Sequence, residues 1–298
     1  MRRRVCAALP SLVIACGGGH GAPDAPVAPG PRCDPSLPFG VAVQVAGINS
    51  ALDDASARLS DDELDVTFAR LDNGVWDLWH ATRASIDEPF GAPQLLTTVN
   101  SVSSDLWPTL SPDRLTVLFE ADRSTPDVFH IWRSTRASTS SPFGPPQLRP
   151  ELMDNDIEPM LANDHALYFS SAVRGGLGMS EIFRATVDPT TGAIGTPVAL
   201  VGGVNTPDAE GAPAVTSDER VIYFQRVVGA EADVFTASRS TATDGFGTSA
   251  PVPGLDVPGI NEAPSWVSPD GCHLYFHADE QIGTATDIWV TSRPPPAS

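Results

Sequence analysis

The sequence contains no lysine: all 18 of its basic residues are arginines, and they stand against 37 acidic residues. Without lysine, Schiff-base catalysis and a phosphate-binding P-loop are excluded. The formal net charge of −19 disfavours nucleic acids and anionic lipid surfaces as partners, and it favours cationic groups or metal ions. The Gly-x-Ser-x-Gly, Cys-x-x-Cys and His-Glu-x-x-His patterns are also missing. No motif of these three catalytic classes is therefore present.

Helical periodicity is a second absence. No window repeats its apolar residues with a period of 3.6, so we expect no helix of consequence. Apolar and polar residues instead alternate roughly over short stretches, and Gly, Pro, Asn and Asp separate these stretches as they do at tight turns. The sequence therefore predicts an all-β fold.

Three landmarks recur in the same order at intervals of about fifty residues. The first is an Asp or Asn turn followed by an apolar strand that ends in Phe, at 62–68, 113–119, 163–169, 218–224 and 270–276. The second is an acid-apolar-aromatic strand pattern, at 77–83, 130–136, 181–187, 233–239 and 287–293. The third is a tripeptide related to Pro-Phe-Gly, at 89–91, 142–144, 193–195 and 245–247. Such a repeat indicates five copies of one structural unit.

Each repeat has room for four short strands, and four-stranded units of this length are typical of propeller blades. The fifth repeat stops at Arg293 without its own Pro-Phe-Gly strand, whereas an orphan copy at 38–49 precedes the first repeat. We predict that this N-terminal strand completes the last blade, which closes the ring and removes an exposed sheet edge. The predicted domain is a five-bladed β-propeller of four-stranded antiparallel blades over residues 38–293, with a disordered tail at 294–298.

The N-terminal residues 1–16 have the features of an export signal. Arg2, Arg3 and Arg4 precede a short apolar run that is too brief to span a bilayer. Small residues before Cys16 resemble the bacterial lipobox, which implies lipidation of Cys16 and anchoring to a membrane surface. Ordinary secretion is the alternative. Residues 17–37 are rich in Gly, Pro and Ala and predict a flexible tether, so we expect a lipid-anchored envelope protein at the outer membrane or periplasmic face.

Two cysteines remain once Cys6 leaves with the signal and Cys16 carries the lipid. Cys33 lies just before the closing strand, and Cys272 lies in the first-to-second strand turn of the last blade. Cys33 is thus at the end of the blade where a third-to-fourth strand loop should lie. Because such loops and first-to-second strand turns fall on the same face of a propeller, we predict a disulfide between Cys33 and Cys272 in an oxidising compartment. Two free thiols are the alternative.

The candidate binding residues are acids that stand just ahead of the innermost strand of each blade: Asp54, Asp105, Asp156, Glu210 and Glu262. A second set opens the third strand on the same predicted face: Asp77, Glu181, Asp233, Asp287 and, in the second blade, His130. Converging carboxylates could bind Ca²⁺, a cationic peptide or a sugar. An acid repeated in every blade more often caps turn N–H groups, and we favour that structural role. We therefore expect no cofactor, with Ca²⁺ in the central channel as an option.

The repeats resemble the WD-repeat-like propeller repeats of TolB-type proteins, most closely at 174–183, 210–224 and 268–276. TolB itself has six blades and an additional α/β domain, which this sequence does not show. The resemblance implies a protein-interaction platform of the bacterial envelope. Our first hypothesis is thus a non-enzymatic, monomeric lipoprotein that binds an envelope protein or peptide.

Two other functions stay open. A furanosidase-like glycoside hydrolase would need an acid and a base about 5–9 Å apart, with Asp54, Asp156 and Glu210 as candidates. The repeat symmetry and the lack of an asymmetric acid–aromatic cluster count against that function. A lectin-like sugar binder with equivalent pockets between blades is the other alternative.

Overall fold

The computed structural model describes residues 32–255, 257–279 and 285–296. Within these residues the chain forms five four-stranded antiparallel sheets and no helix. The predicted five-bladed β-propeller is confirmed. No helix in the described ranges is long and apolar enough to cross a membrane. The predicted signal peptide with Cys16, the tether as far as residue 31, and tail residues 297–298 lie outside the described residues.

The strands of the described chain are, in order, β1 (Val43–Gln44), β2 (Asp54–Leu59), β3 (Asp65–Asp72), β4 (Val75–Thr82), β5 (Gln94–Leu95), β6 (Asp105–Leu110), β7 (Thr116–Thr125), β8 (Val128–Thr135), β9 (Gln147–Leu148), β10 (Asp156–Asn163), β11 (Ala166–Ser171), β12 (Glu181–Thr186), β13 (Val198–Ala199), β14 (Gly202–Gly203), β15 (Ala209–Val215), β16 (Val221–Val228), β17 (Glu231–Ser238), β18 (Phe246–Thr248), β19 (Ala250–Pro251), β20 (Glu262–Val267), β21 (His273–Asp279) and β22 (Thr286–Ser292).

Each blade runs from an innermost strand to a short outer strand. Blade 1 is β2-β3-β4-β5, blade 2 is β6-β7-β8-β9, blade 3 is β10-β11-β12-β13, blade 4 is β15-β16-β17-β19 and blade 5 is β20-β21-β22-β1. The innermost strands contact one another around the ring, from β2 through β6, β10, β15 and β20 back to β2. A short parallel pair, β14 with β18, lies beside blade 4.

The N-terminal strand closes the ring as predicted. β1 pairs antiparallel with β22, with Val43 opposite Val290 and Gln44 opposite Trp289. The added strand covers the outer edge of β22 and gives blade 5 four strands like the other blades.

The turn landmark has a direct structural cause. The Asp or Asn carboxyl or amide oxygen accepts a hydrogen bond from the backbone N–H two residues later, as Asp62 does from Leu64 at 3.1 Å and Asp113 from Leu115 at 2.9 Å. A Ser or Thr hydroxyl two residues earlier donates to the same oxygen in four of the blades, as Ser60 does at 2.6 Å. These local bonds fix the hairpin between the first and second strands.

The arginine that ends the second landmark contacts the phenylalanine of the Pro-Phe-Gly landmark. In four blades the guanidinium lies over the Phe ring, at 4.4 Å for Arg83–Phe90, 4.4 Å for Arg136–Phe143, 4.2 Å for Arg239–Phe246 and 4.1 Å for Arg293–Phe39. Blade 3 carries Val187 and Ile194 at these places, and the two residues form a β-bridge instead. In blade 3 both members of the cation–π pair are therefore replaced, and an apolar pair stands in their place.

The segment before β1 is bonded to the propeller. Cys33 and Cys272 are joined by a disulfide across a sequence separation of 239 residues. Arg32 Nε donates to Asp270 at 2.6 Å, and its Nη2 donates to Glu63 at 2.7 Å. The last residues of the predicted tether, 32–37, are thus held against the first and last blades.

Candidate functional site

The five predicted acids, hereafter the ring acids, are all buried, with exposed fractions between 0 and 2%. In blades 1 to 4 each one accepts a hydrogen bond from an arginine of the second strand or its loop. The Nε–oxygen distances are 2.6 Å for Arg70–Asp54, 2.9 Å for Arg123–Asp105, 2.8 Å for Arg174–Asp156 and 2.8 Å for Arg226–Glu210. The positive charge expected from a shared Ca²⁺ is supplied in these blades by the protein itself.

The ring acids also fix the loops that enter the innermost strands. Their carboxylates accept backbone N–H bonds from Ser50 at 2.7 Å, Ser101 at 2.7 Å, Met153 at 2.7 Å, Thr206 at 3.0 Å and Val257 at 3.3 Å. The ring acids therefore cap backbone N–H groups of the loops that join consecutive blades, which is the structural role favoured from the sequence.

The second set of predicted acids is engaged locally. Asp287 accepts from Gln44 at 2.8 Å, Glu181 accepts from the N–H of Gly178 at 3.1 Å, and His130 lies 3.4 Å from Asp154. Burial, with the neighbouring Asp72, raises the pKa of Asp77. The structure does not bring this set together at one centre.

Loops of two types meet on one face of the propeller, as predicted. Ser104, in the loop that enters β6, donates its N–H to Asp122 at the end of blade 2's second strand, at 2.9 Å. Thr286 at the start of β22 donates to Asp53 at 2.8 Å, in the loop that enters β2. We call the surface formed by these loops the mouth face.

The innermost strands bulge where they line the channel. Register shifts occur in all five: in blades 1 to 4 the shift begins two residues after the ring acid, and in blade 5 it follows Pro264, which is still paired with Phe276. The bulge residues Ser56, Trp107, Glu158 and Ala212 have φ values of 51, 48, 56 and 50°, and blade 5 has Pro264 at this place. A positive φ is costly for a residue other than glycine, and such conformations concentrate at functional sites. In blades 2 and 3 the bulge residue brings its side chain into the contacts described next: Trp107 with Arg58 and His277, and Glu158 with Ala212.

A polar cluster fills this part of the channel, and it draws on every blade. Glu158 accepts the N–H of Ala212 at 2.6 Å, and its own N–H donates to Glu120 at 2.5 Å. Arg58 donates across the channel to the Pro213 carbonyl at 3.2 Å, and its guanidinium lies 5.7 Å from the Trp107 ring. The Trp107 and His277 rings pack edge to face, with their centroids 5.4 Å apart.

This channel cluster corrects one sequence-based argument. The sequence showed no asymmetric acid–aromatic cluster, and the fold assembles one from Arg58, Trp107, Glu120, Glu158 and His277. A signal was available: two residues after each ring acid the chain carries Ser, Trp, Glu, Ala and Pro. That position is where the otherwise regular blades all differ.

Burial sets the ionisation of the cluster. It raises the pKa of Glu120 to about 8, with a further contribution from the nearby Glu158, and it raises the pKa of Glu158 as well. Burial also lowers the pKa of His277 to about 4, and Arg58 acts in the same direction. At pH 6 to 7 the histidine is therefore neutral and Glu120 is protonated.

These shifts predict a pH dependence of stability. Between its ordinary pKa of 4.5 and its folded pKa of about 8, Glu120 binds more protons in the folded state, so stability falls as the pH rises. Between about 4 and 6.5, His277 binds more protons in the unfolded state, so stability rises with pH. The two effects cancel from 4.5 to 6.5. From pH 6.5 to 8 we expect Glu120 alone to lower the free energy of unfolding by about 2 kcal/mol.

Glu120→Gln tests this assignment, because glutamine keeps an oxygen for the Glu158 N–H but does not titrate. We expect the variant to lose about 2 kcal/mol less stability than the wild type from pH 6.5 to 8 in chemical denaturation. Glu231→Gln, at an exposed carboxyl of blade 4, is the control and should fall like the wild type. A Glu120→Gln protein that loses as much stability as the wild type over this range would contradict the assignment.

No group of three His, Cys, Asp or Glu in the described ranges is placed to hold a metal ion. On the face opposite the mouth face, a cavity of about 330 Å³ lies between blades 2 and 3, beside Asp113, Arg133 and Asp188. A second, of about 220 Å³, lies between blades 4 and 5 beside Asp218, Tyr223 and Asp270. The matching place between blades 1 and 2 is bridged by the ion pairs of Asp65 with His80 and Arg114. The inter-blade spaces are thus not equivalent pockets.

The fold and site define a closed five-bladed propeller whose ring acids are internal and whose channel is asymmetric. No protein-family model and no curated protein matches the sequence. Among solved structures, an α-L-arabinofuranosidase of Podospora anserina in complex with cellotriose is similar with a TM-score of 0.59 at 11% identity, over 90% of this chain and 100% of that one. A family 117 glycoside hydrolase of Zobellia galactanivorans has a TM-score of 0.55 at 12% identity, over 86% and 90%.

TolB from Acinetobacter baumannii is also similar in structure, with a TM-score of 0.49 at 16% identity over 83% of this chain. This chain spans 56% of the length of that TolB chain. At these identities the similarities establish the fold alone.

Proposed function

We propose that this protein is a non-enzymatic lipoprotein of the bacterial envelope whose mouth face binds a protein or peptide. One observation carries the proposal: the mouth-face loops expose a set of large apolar side chains. They are Leu52, Val102, Met153, Val173, Leu177, Met179, Val228 and Val257. Apolar side chains gathered on one face of a soluble domain are typical of interaction surfaces.

The charge of the same face defines the partner. Asp127, Asp154, Asp208 and Glu231 are exposed among these apolar residues. The arginines below them are turned inward onto the ring acids. A partner segment that combines apolar and cationic side chains would complement this surface. The arginines near the N-terminus and the lipobox-like sequence before Cys16 support the export and lipid anchoring in the proposal.

The contacts of the channel acids favour binding over glycoside hydrolysis. Ring acids Asp54, Asp156 and Glu210, the earlier catalytic candidates, are paired with arginines. Both channel carboxylates accept hydrogen bonds from the protein: Glu158 from Ala212, and Glu120 from Glu158. A general acid and base must instead contact the glycosidic bond and a water. Release of sugar from arabinan or xylan by the wild type, abolished in Glu120→Gln, would replace our proposal.

The mouth face is tested by capture from envelope extracts with the triple variant Val102→Ser, Leu177→Ser, Met179→Ser. Their exposed fractions are 95, 71 and 71%, so the substitutions should leave the fold intact. We expect a partner bound by the wild type to be recovered about tenfold less, a loss of about 1.4 kcal/mol of binding.

The matched control is Val41→Ser, Leu148→Ser, Val198→Ser, outside the mouth-face loops, where the exposed fractions are 92, 39 and 64%. It should retain the partner. Equal recovery by the two triple variants would exclude the mouth face as the binding surface.

A further inference from the structure

The ring-acid arginines of blades 1 to 4 occupy a slot between two aromatic rings. We define the arginine slot as the space beside the ring acid and over the paired aromatics of the second and third strands. In blade 4, Arg226 lies 5.2 Å from the Phe224 ring and 4.6 Å from the Phe235 ring. In blade 1, Arg70 lies 5.4 Å from Phe68 and 5.1 Å from Trp79. Blades 2 and 3 repeat the arrangement with Arg123 and Arg174.

Blade 5 keeps the walls of the slot but lacks the arginine. Phe276 and Trp289 are paired across β21 and β22, as Phe224 and Phe235 are across β16 and β17. Opposite the ring acid Glu262, however, stands Ala278, where Arg226 stands opposite Glu210. The sequence has no Arg or Lys anywhere from 240 to 292, and Arg293, the one arginine of the fifth repeat, stacks on Phe39 instead.

A cavity of about 150 Å³ lies in the blade 5 slot. Its lining includes Phe276, Trp289, Ala278, Glu262 and Asp279. Ala42 is also part of it, and by the pairing of the outer strand it takes the place of Ser249 in blade 4. Ser249 accepts a hydrogen bond from Arg226 at 3.1 Å. Blade 5 therefore has Ala278 in place of Arg226 and Ala42 in place of Ser249, so both the arginine and one of its hydrogen-bond acceptors are replaced by alanine.

We propose that the blade 5 slot binds the guanidinium group of an arginine side chain on the partner peptide. The inference rests on the proposed peptide-binding function and names the residue that the surface recognises. The protein itself provides the template, because the same aromatic pair and ring acid hold a guanidinium in four blades. A cation over two aromatic faces beside carboxyl groups is stabilised both by the ring quadrupoles and by charge.

The slot distinguishes cations by shape. A guanidinium is planar and stacks on aromatic faces while its edge donates several hydrogen bonds, whereas an ammonium is a compact and strongly hydrated charge. Glu262 accepts a hydrogen bond from the Val257 N–H at 3.3 Å, and Asp279 accepts a hydrogen bond from the Thr286 hydroxyl at 2.8 Å. A carboxylate can accept further bonds through its other lone pairs, so these contacts are compatible with a guanidinium in the cavity.

The test uses the indole N–H signal of Trp289, which donates to the Ala278 carbonyl at 3.3 Å. The signal is assigned by its loss in Trp289→Phe, and the probe is the blocked peptide acetyl-Gly-Arg-Gly-amide. We expect a saturable shift of this one indole signal, and no such shift with the citrulline peptide, which is a neutral isostere. Lysine peptide should bind more weakly. Free guanidinium chloride is run in parallel: an equal affinity would assign the site to small cations in general rather than to a peptide, and would overturn the peptide form of the proposal.

In Ala278→Arg the new side chain should occupy the slot itself, because blades 1 and 4 carry an arginine at this position. We expect binding of the arginine peptide to weaken by at least about tenfold and the melting temperature to rise. Val198→Arg adds the same charge at an exposed site of blade 3 and should leave binding unchanged. A wild type without a saturable Trp289 shift, or an Ala278→Arg protein that binds like wild type, would overturn the proposal.

The peptide titration is independent of capture from envelope extracts. A failed titration with a partner still lost in the mouth-face variant refutes the slot and leaves the platform in place. A saturable slot with no loss of partner in that variant refutes the mouth face instead.

Discussion

Replacing Arg226 with methionine is expected to lower the free energy of unfolding by about 3–5 kcal/mol. Arg226 is 8% exposed and its partner Glu210 is 1% exposed. The guanidinium donates to Glu210 at 2.8 Å and to the Val204 carbonyl at 2.8 Å. Without it, a buried carboxylate keeps its desolvation cost and loses its counter-charge, and the Val204 carbonyl loses a donor. Denaturant unfolding followed by circular dichroism measures the loss.

Two further variants separate the charge from the packing. Glu210→Gln combined with Arg226→Met removes both charges, and we expect it to recover more than half of the loss, because no ion is left buried and unpaired. Arg220→Met, at an exposed arginine of the same blade, should change stability by less than about 0.5 kcal/mol. If Arg226→Met were as mild as Arg220→Met, the ring acids would not be the structural elements described above. It also follows that neutralising all five ring acids unfolds the protein rather than testing a binding site.

Removing the disulfide is the second large effect. In the double variant Cys33→Ser, Cys272→Ser we expect a loss of about 4 kcal/mol, since the bond closes a loop of 239 residues and so constrains the unfolded chain strongly. The bond also holds the segment before β1, a strand of only two residues that completes blade 5. Without the bond, β1 should separate from β22 more readily.

Unfolding in guanidinium chloride with and without reductant measures this loss, and the double serine variant, which should not respond to reductant, is the control. Hydrogen exchange adds a local readout: the backbone amides of β22 that face β1 should exchange faster in the variant, while those of β8, deep in blade 2, should not. A variant within about 1 kcal/mol of the wild type would mean that pairing of β1 with β22 closes the ring unaided.

The sequence by itself determined the repeat, the number of blades and the closing strand. These features follow from interactions inside one hairpin or between neighbouring strands. Asp62 caps the turn in which it stands, and Arg83 stacks on Phe90 within its own blade. Because such interactions are local, the same residue types recur at the same positions of most repeats. The acids in front of the innermost strands could be identified from the sequence for the same reason: they recur in every repeat and cap N–H groups of a nearby loop.

The tertiary structure alone decided where the chemistry is concentrated. Arg58, Trp107, Glu120, Glu158 and His277 come from four repeats, on innermost and second strands, and meet only because the closed ring brings the blades together around one channel. The slot of blade 5, which lacks the arginine of the other blades, could be recognised only with the strand register. Ala278 is unremarkable in the sequence, and it becomes informative when it stands opposite Glu262 and beside Phe276 and Trp289. Contacts between distant segments depend on closure of the ring, and no local pattern encodes them.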